Sequence, residues 1–492
     1  MRADVLAGGA RGRTGVTSIE PVLVGTTRGQ ATTTSAIAGP DGSAAMTTRS
    51  TSRMLRYSAT AWLTVPPVGR TVGRQAGRLT SDPGHQGEAT MSMSIRSTLR
   101  TPRSPARAAR TGRHVVVGAL IAMAGLGAGC ASSTTSASSS QSTTPTPAYQ
   151  KAGPNPVGVT TLDLGPAGAP YGERLSTVFY PADPHALSGH AHFSYTEGST
   201  LPAALQGILP AKYNTTTTTD AWDGPPASRS GPYPVVLFSH GFGGQRLYYS
   251  KLLTGIASWG YVVISADFLE RGLASQALRT GSTADPARDS TIMSASLDAV
   301  ERASTDPASV LHATVDPKKV AAVGHSAGGQ TAFDALDSPK VSTAVGWAPV
   351  GPAGTPSAKP VMLIVAQGDS AVPPSRVTSS YQDFPGPKVL VIISGEGHNT
   401  YTDICEGIRS GGGLISYAVA NNFTTPSLAK LGINGCERSN LAPDRFWPIV
   451  QYYTVLQLQN QLRGNPSASV TAPPAGRFPG FTVTVTQANA ST

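Results

Sequence analysis

The sequence contains little charge, few aromatic residues and almost no cysteine. Charged residues make up 13% of the 492 positions and aromatic residues 6%, and there are three cysteines. Three cysteines are too few for a zinc or iron-sulfur framework, and no cluster of histidines and carboxylates has the spacing of metal ligands. The sequence therefore predicts no metal site.

A basic excess is also missing from most of the chain. The formal net charge is +10, but residues 1–129 hold 16 of the 38 Lys and Arg and 5 of the 28 Asp and Glu, which leaves the other residues with a net charge of −1. Because the excess lies outside the segment that has the pattern of a folded domain, a nucleic-acid partner is not predicted.

The first 130 residues divide into two segments. Residues 1–90 are rich in Thr, Ser, Gly, Ala and Arg and show no sustained period, so we predict that they are disordered or not translated. Residues 91–130 have the pattern of an export signal, because six arginines precede an uncharged, largely apolar run from Val115 to Gly129. That run is shorter than the about 20 apolar residues that a membrane-spanning helix needs.

Cys130 ends the apolar run and is followed by a Ser/Thr/Pro-rich linker over residues 131–155. This arrangement resembles a bacterial lipoprotein signal in which Cys130 is acylated, although Gly127 stands where that pattern usually has Leu. Plain secretion and a retained anchor are the alternatives. All three predict an exported domain, and membrane association is expected only through a lipid anchor on Cys130.

Residues 156–486 have the length and the alternating pattern of one large catalytic domain. Short apolar runs alternate with helical segments such as Asp289–Arg302 and Ala327–Asp337, which predicts an α/β fold with a mostly parallel central sheet and helices on both faces. The predicted strands are Ser176–Tyr180, Pro234–Ser239, Tyr261–Ala266, Val320–Val323, Thr343–Trp347, Val361–Ala366 and Lys388–Ile393, with a further edge strand at Phe481–Val485.

Two stretches of this domain are predicted to be insertions. Residues 183–230 are rich in Pro, Gly and Thr, and residues 404–447 separate the last predicted catalytic residue from a final helix at Pro448–Leu462. Because the second stretch begins six residues after that catalytic residue, it is placed to roof the active site. Residues 487–492 are predicted to be a flexible tail.

The segment from Gly324 to Gly328, Gly-His-Ser-Ala-Gly, follows the apolar strand Val320–Val323 directly and precedes a helical segment. This is the G-x-S-x-G nucleophile elbow, in which the serine occupies a strained turn and the two glycines let the strand and the helix approach each other. We therefore predict Ser326 as the nucleophile. An ordinary turn with a capping serine is the alternative for the pentapeptide alone.

A glycine-rich turn, His240-Gly241-Phe242-Gly243-Gly244, follows the strand Pro234–Ser239. Acyl transfer converts a carbonyl oxygen into an oxyanion, and two fixed backbone N–H donors stabilise it. We assign these donors to Phe242 and to Ala327, the residue after the nucleophile. A phosphate-binding turn is the alternative for the glycine-rich segment.

Asp369 follows the strand Val361–Ala366, and His398 follows the strand Lys388–Ile393. The chain order Ser326, Asp369, His398 is that of the α/β-hydrolases, in which the histidine accepts the serine proton and the aspartate orients the histidine. Asp403 is a competing candidate for the acid because it lies five residues after His398.

Cys405 and Cys436 remain once Cys130 is assigned to the export signal. An even pair in an exported protein predicts a disulfide, and two free buried thiols are the alternative.

The span GPYPVVLFSHGFGGQRLYYSKLLTGIASWGYVVISADF, together with AAVGHSAGG, resembles the branch of the α/β-hydrolases that contains platelet-activating-factor acetylhydrolases, dienelactone hydrolases and polyester hydrolases. The resemblance extends over most of residues 157–400 and implies ester hydrolysis without a metal or an organic cofactor. In the acetylhydrolases the acid follows the strand after the elbow, but here that strand ends in Gly346-Trp347-Ala348-Pro349. Asp369 then takes the position found in polyester and dienelactone hydrolases, which argues against a phospholipid substrate.

The sequence thus predicts an exported serine ester hydrolase that acts on a small-molecule or lipid ester. An acyltransferase with the same triad, a non-catalytic cell-envelope binding protein on the same fold, and a serine peptidase are the alternatives. The sequence assigns neither the acyl chain, nor the alcohol, nor an oligomeric state.

Overall fold

The structure is a computed structural model that describes residues 148–281, 283–464 and 470–489. The predictions for residues 1–90, for the export signal with Cys130, for the linker up to residue 147 and for residues 490–492 of the tail lie outside these residues. No helix within the described ranges is both long and apolar enough to cross a membrane.

Eleven strands of the described chain form one sheet in the order β11-β10-β9-β8-β7-β5-β6-β2-β1-β4-β3. The six central strands, from β6 to β10 in this order, are all parallel. The predicted α/β-hydrolase fold with a mostly parallel sheet is confirmed. The strands are β1 Val157–Gly168, β2 Gly172–Pro181, β3 His192–Thr196, β4 Thr216–Asp223, β5 Tyr233–Ser239, β6 Val262–Ala266, β7 Val315–His325, β8 Val341–Trp347, β9 Val361–Ala366, β10 Lys388–Ile393 and β11 Val483–Ala488.

Helices cover both faces of this sheet, because its central strands are apolar on both sides. In β5, Val236 and Phe238 pack on one face and Val235 and Leu237 on the other. Helices α1 and α9 pack on the first face, and α3, α4 and α5 on the second. The helices are α1 Ser250–Ala257, α2 Leu273–Leu278, α3 Pro286–Thr305, α4 Ala327–Asp334, α5 Pro374–Asp383, α6 Ile404–Ser410, α7 Gly413–Ala420, α8 Pro426–Ile433 and α9 Pro443–Leu462.

The stretch 183–230 adds two strands to the sheet edge, which the sequence analysis did not predict. Strand β4 pairs in parallel with β1 and antiparallel with β3. Threonines dominate β4, and Thr219 and Ala221 are its buried side chains. Threonine is β-branched and suits a half-buried strand, so the threonine run that indicated an insertion is a strand at the sheet edge.

The last helix begins at Pro443 and therefore earlier than predicted. Pro448 lies inside the helix, although a proline there removes one backbone donor and usually marks a helix start. Phe446 and Trp447 are buried in the core, and the Trp447 indole donates to the Thr400 carbonyl (2.7 Å). Tertiary packing thus supports the first turn of α9 despite the proline.

Strand β11 pairs antiparallel with β10 at the outer edge of the sheet. It runs from Val483 to Ala488, so residues 487 and 488, predicted to belong to a flexible tail, are part of the strand.

Candidate active site

Ser326 lies in the sharp turn between β7 and α4. Its backbone has φ 58° and ψ −120°, a conformation that non-glycine residues rarely adopt. A Cβ on Gly324 would overlap the Gly328 carbonyl, and one on Gly328 would overlap the carbonyl at Ser239, the end of β5. The strand, the turn and the helix are therefore packed so closely that glycine is needed on both sides of the serine.

Ser326, His398 and Asp369 form one hydrogen-bonded chain. The Ser326 hydroxyl lies 2.9 Å from His398 Nε2, and His398 Nδ1 lies 2.8 Å from Asp369 Oδ2. Because the carboxylate only accepts, Nδ1 carries the proton, and Nε2 is then free to accept the proton of the serine. The structure thus brings together the three residues predicted from the sequence, in the relation that general-base activation of a serine requires.

The Asp369 carboxylate is fixed by its own loop. Its Oδ1 atom accepts from the backbone N–H of Ala371 (2.9 Å) and of Val372 (2.7 Å). Its side chain is fully shielded from solvent. The second oxygen is consequently directed at His398, and the imidazole has one favoured orientation.

Asp403, the competing candidate, lies elsewhere. It is buried, and its carboxylate accepts from the Tyr195 hydroxyl (3.3 Å) and from the Lys251 backbone N–H (3.3 Å). Burial raises the pKa of Asp403 to about 7. The structure therefore places Asp369, and not Asp403, against His398.

Two backbone N–H groups belong to residues next to Ser326 or to the neighbouring glycine-rich turn. Gly241 lies so near the nucleophile that a Cβ on it would be 3.2 Å from Ser326 Cβ, and Phe242 is the next residue in this turn. Within the described part of the chain, the N–H groups of Phe242 and Ala327 donate to no other protein group. They are the two donors predicted for the oxyanion, and the adjoining Phe242 side chain is 55% exposed.

Arg271 stabilises the glycine-rich turn His240–Gly244, which we call the oxyanion turn. The sequence analysis did not predict this role. Its guanidinium is fully buried, donates to the His240 carbonyl (2.6 Å) and pairs with Asp289 (2.7 Å). Its own carbonyl accepts from Gly243 N–H (2.9 Å), so one residue binds the turn on both sides of Phe242. Burial lowers the pKa of Arg271 to about 10, which keeps it charged at neutral pH. No local pattern around Arg271 marks this contact.

His240 is a buried histidine at the start of the oxyanion turn. Burial and the nearby Arg271 lower the pKa of His240 to about 3, so its ring is neutral. Its Nε2 accepts from Phe268 N–H (3.0 Å), and its Nδ1 proton is donated to the Gly241 carbonyl (2.8 Å). His240 therefore orders the oxyanion turn.

His325, which precedes the nucleophile, connects the oxyanion turn to the backbone of His398. Burial holds its pKa well below the usual range, so this ring is also neutral. Its Nε2 donates to the His398 carbonyl (2.9 Å), and its Nδ1 accepts from the Tyr249 hydroxyl (2.8 Å). Tyr249 in turn accepts from Gly241 N–H (3.4 Å). A buried relay thus runs from the oxyanion turn to the backbone of the catalytic histidine.

The predicted disulfide between Cys405 and Cys436 is confirmed. It joins the beginning of α6 to the residues after α8, within the stretch 404–447, which we call the cap segment. Among the residues that the structure describes, no group of three or more His, Cys, Asp or Glu side chains is arranged to hold a metal ion.

Two comparisons with known proteins bear on this site. A family model described as Chlorophyllase matches residues 225–367, a span that includes the oxyanion turn and the elbow and ends just before Asp369. Among solved structures, the chain is similar to a ferulic acid esterase from Streptomyces cinnamoneus, with 22% identity and a TM-score of 0.47 over 67% of this chain and 96% of that one.

Proposed function

We propose that this protein is an exported serine carboxylic-ester hydrolase that forms an acyl-enzyme on Ser326. The chain is an α/β-hydrolase of the ester hydrolase class; the mechanism, the substrate and the export are the proposal. The observation that carries the mechanism is the hydrogen-bonded chain Ser326–His398–Asp369, near two backbone N–H groups that make no hydrogen bond within the described residues.

The geometry supports the following reaction. Ser326 Oγ attacks the ester carbonyl carbon while His398 Nε2 takes the hydroxyl proton, and Asp369 stabilises the imidazolium. The carbonyl oxygen becomes an oxyanion that the N–H groups of Phe242 and Ala327 stabilise. His398 then gives its proton to the leaving alkoxide, and the alcohol departs. A water molecule, deprotonated by His398, cleaves the acyl-enzyme to the carboxylic acid and restores the serine.

Exposed apolar side chains in the segments next to the triad support an apolar ester as the substrate. Phe242 is 55% exposed and follows Gly241, the residue packed against Ser326. Leu431 is 41% exposed, and its backbone carbonyl accepts from Asn399 Nδ2 (2.8 Å), in the residue after His398. The resemblance to polyester and dienelactone hydrolases is consistent with such a substrate and is the finer family assignment that we propose.

Export is supported by the signal-like segment 91–130 and by the disulfide, which is typical of proteins in oxidising compartments. We propose that Cys130 carries the lipid anchor. Mass analysis of the mature N-terminus from a membrane fraction tests this: an acylated Cys130 supports the anchor, and an unmodified N-terminus in the medium supports plain secretion.

A fluorophosphonate probe tests the proposed function. The probe is expected to label Ser326. Labelling should be absent in Ser326→Ala, and an ester substrate should prevent it in the wild type. Hydrolysis of p-nitrophenyl esters with increasing acyl length then defines the acyl pocket. Absence of both labelling and hydrolysis would favour the binding protein, and ester formation with an added alcohol in preference to hydrolysis would favour the acyltransferase.

A further inference from the structure

The loops that carry Asp369 and His398 are joined by a third side chain, Asn434, from the cap segment. Asn434 Oδ1 accepts from the backbone N–H of His398 (2.9 Å) and of Ser370 (3.0 Å). Its Nδ2 group donates to the Gly368 carbonyl (3.3 Å). One amide therefore binds the backbone of the acid loop on both sides of Asp369 and the backbone of the catalytic histidine itself.

The backbone of Asn434 adds to this connection. Its carbonyl accepts from Asn399 N–H (2.8 Å), the residue after His398. The fit is close, since a Cβ on Gly397 would lie 2.7 Å from Asn434 Nδ2. The loops that carry Asp369 and His398 can therefore separate only if hydrogen bonds to Asn434 break.

Asn434 is itself held firmly within the cap segment. It stands two residues before Cys436, whose disulfide to Cys405 ties this part of the chain to α6. The Asn399 side chain donates to the carbonyls of Leu431 (2.8 Å) and Gly432 (3.0 Å) in the last turn of α8. The disulfide at Cys436 therefore fixes the chain after Asn434, and the hydrogen bonds from Asn399 fix the chain before it.

We propose that Asn434 is a positioning residue that sets the separation of Asp369 and His398 and so maintains the catalytic geometry from the cap segment. This inference rests on the proposed function. Asn434 touches neither Ser326 nor the acyl site, so it acts through the alignment of the general base. A misplacement of about 1 Å in such a site can cost about 100-fold in rate.

The test compares three variants by kcat, KM and thermal midpoint. Asn434→Leu has a similar shape and no hydrogen-bonding groups, and we expect kcat to fall about 10- to 100-fold with KM changed less than about threefold. Asn434→Asp keeps the oxygen that accepts from His398 and Ser370 but loses the donor to the Gly368 carbonyl, so we expect it to recover part of that loss. Asn421→Leu is the matched control, because Asn421 is exposed in the same cap segment and its side chain donates to the Tyr417 carbonyl (2.9 Å). It should leave kcat unchanged.

A second readout does not depend on turnover. The downfield NMR signal of the His398 Nδ1 proton, assigned by its loss in Asp369→Asn, should weaken or shift in Asn434→Leu and persist in Asn421→Leu. The inference is overturned if Asn434→Leu keeps kcat within threefold and leaves the signal unchanged, or if Asn434→Asp loses as much activity as Asn434→Leu. If the wild type hydrolyses no ester and takes no probe, the proposed function fails, and the NMR signal still decides whether Asn434 orients His398.

Discussion

The two halves of the active site differ in what holds them. The half that contains Ser326 and the Phe242 turn is supported by fully buried groups, above all Arg271 and the neutral ring of His240. The half that contains Asp369 and His398 is connected through Asn434 to the cap segment, which exposes the apolar side chains of Val419, Phe423, Leu428 and Leu431.

This difference indicates how the site assembles. The nucleophile half is built by strands β5 and β7 and by the sheet core, so it forms whenever the central sheet forms. The acid-base half lies at the ends of β9 and β10 but also needs a segment that follows it in the chain. Within the cap segment, helix α7 buries Gly413 alone and helix α8 buries no residue, and segments with few buried contacts belong to the least stable part of a fold. Local opening of the cap is therefore expected to disturb the general base before it disturbs the oxyanion donors.

The largest expected effect comes from removing the reactive atom of the nucleophile half. Ser326→Ala should lower esterase kcat by about 10⁶-fold, since catalysis that survives loss of a triad serine is a small remainder from binding and oxyanion stabilisation. Steady-state kinetics with a p-nitrophenyl ester measures it. Retention of more than about a thousandth of the wild-type kcat would show that the triad is misassigned.

The next largest effect should come from the acid of the other half. Asp369→Asn leaves the fold intact but favours the wrong tautomer of His398, and loss of the orienting aspartate costs about 10⁴ in kcat in the best-studied triad. Asp403→Asn is the matched control and should leave kcat nearly unchanged. Kinetics on proteins of equal melting temperature decides between them, and the reverse order of effects would make Asp403 the acid.

Arg271 tests whether the nucleophile half depends on its buried support. Arg271→Met removes the donor to His240 and leaves Asp289 buried without its partner, so we expect the free energy of unfolding to fall by about 3 to 5 kcal/mol. The double variant Arg271→Met/Asp289→Leu should regain much of that stability, because a buried pair can be replaced by apolar groups.

Activity separates the two roles of Arg271. Met keeps the backbone carbonyl that accepts from Gly243 N–H but cannot donate to the His240 carbonyl, so kcat should stay about 10-fold or more below wild type even in the stabilised double variant. Urea unfolding and kinetics on both variants make the comparison. Full recovery of kcat together with stability would mean that Arg271 serves folding alone.

The smallest effect is the dependence of stability on pH, through two buried carboxyl groups. Asp403 immediately precedes the cap segment, and Glu197 follows strand β3. Burial raises the pKa of Asp403 and of Glu197 to about 7 each. Between about pH 4, where these groups titrate in the unfolded chain, and about pH 7, the folded protein keeps protons that the unfolded chain has lost. The stability that these two carboxyl groups contribute therefore falls as the pH rises through this window. The neutral rings of His240 and His325 act in the opposite direction below the ordinary pKa of histidine, about 6.5, so the effect of Asp403 is measured as a difference between two proteins.

Asp403→Asn provides the control for this titration. The amide cannot ionise, so the melting temperature of the variant relative to that of the wild type should rise between about pH 4 and pH 7. Parallel curves for the two proteins would contradict the assignment of the effect to Asp403.

Local signals in the sequence determined much of this protein. The apolar runs of β5, β7, β9 and β10 indicated buried parallel strands, and the glycines around Ser326 indicated the elbow, because backbone conformation and burial on both faces leave a pattern within a few residues. The order of Asp369 and His398 at strand ends followed from the same patterns, since parallel strands end at one edge of the sheet.

Only the tertiary structure decided the rest. The threonine run of β4 became a strand because β1 and β3 pair with it on either side, and α9 begins before Pro448 because Phe446 and Trp447 are buried. The contacts of Arg271 with His240 and of Asn434 with His398 join residues 31 and 36 positions apart. Their side chains belong to no periodic pattern. A hydrogen bond between a side chain and a distant backbone group depends on where the folded chain places both of them, which no stretch of a few residues encodes.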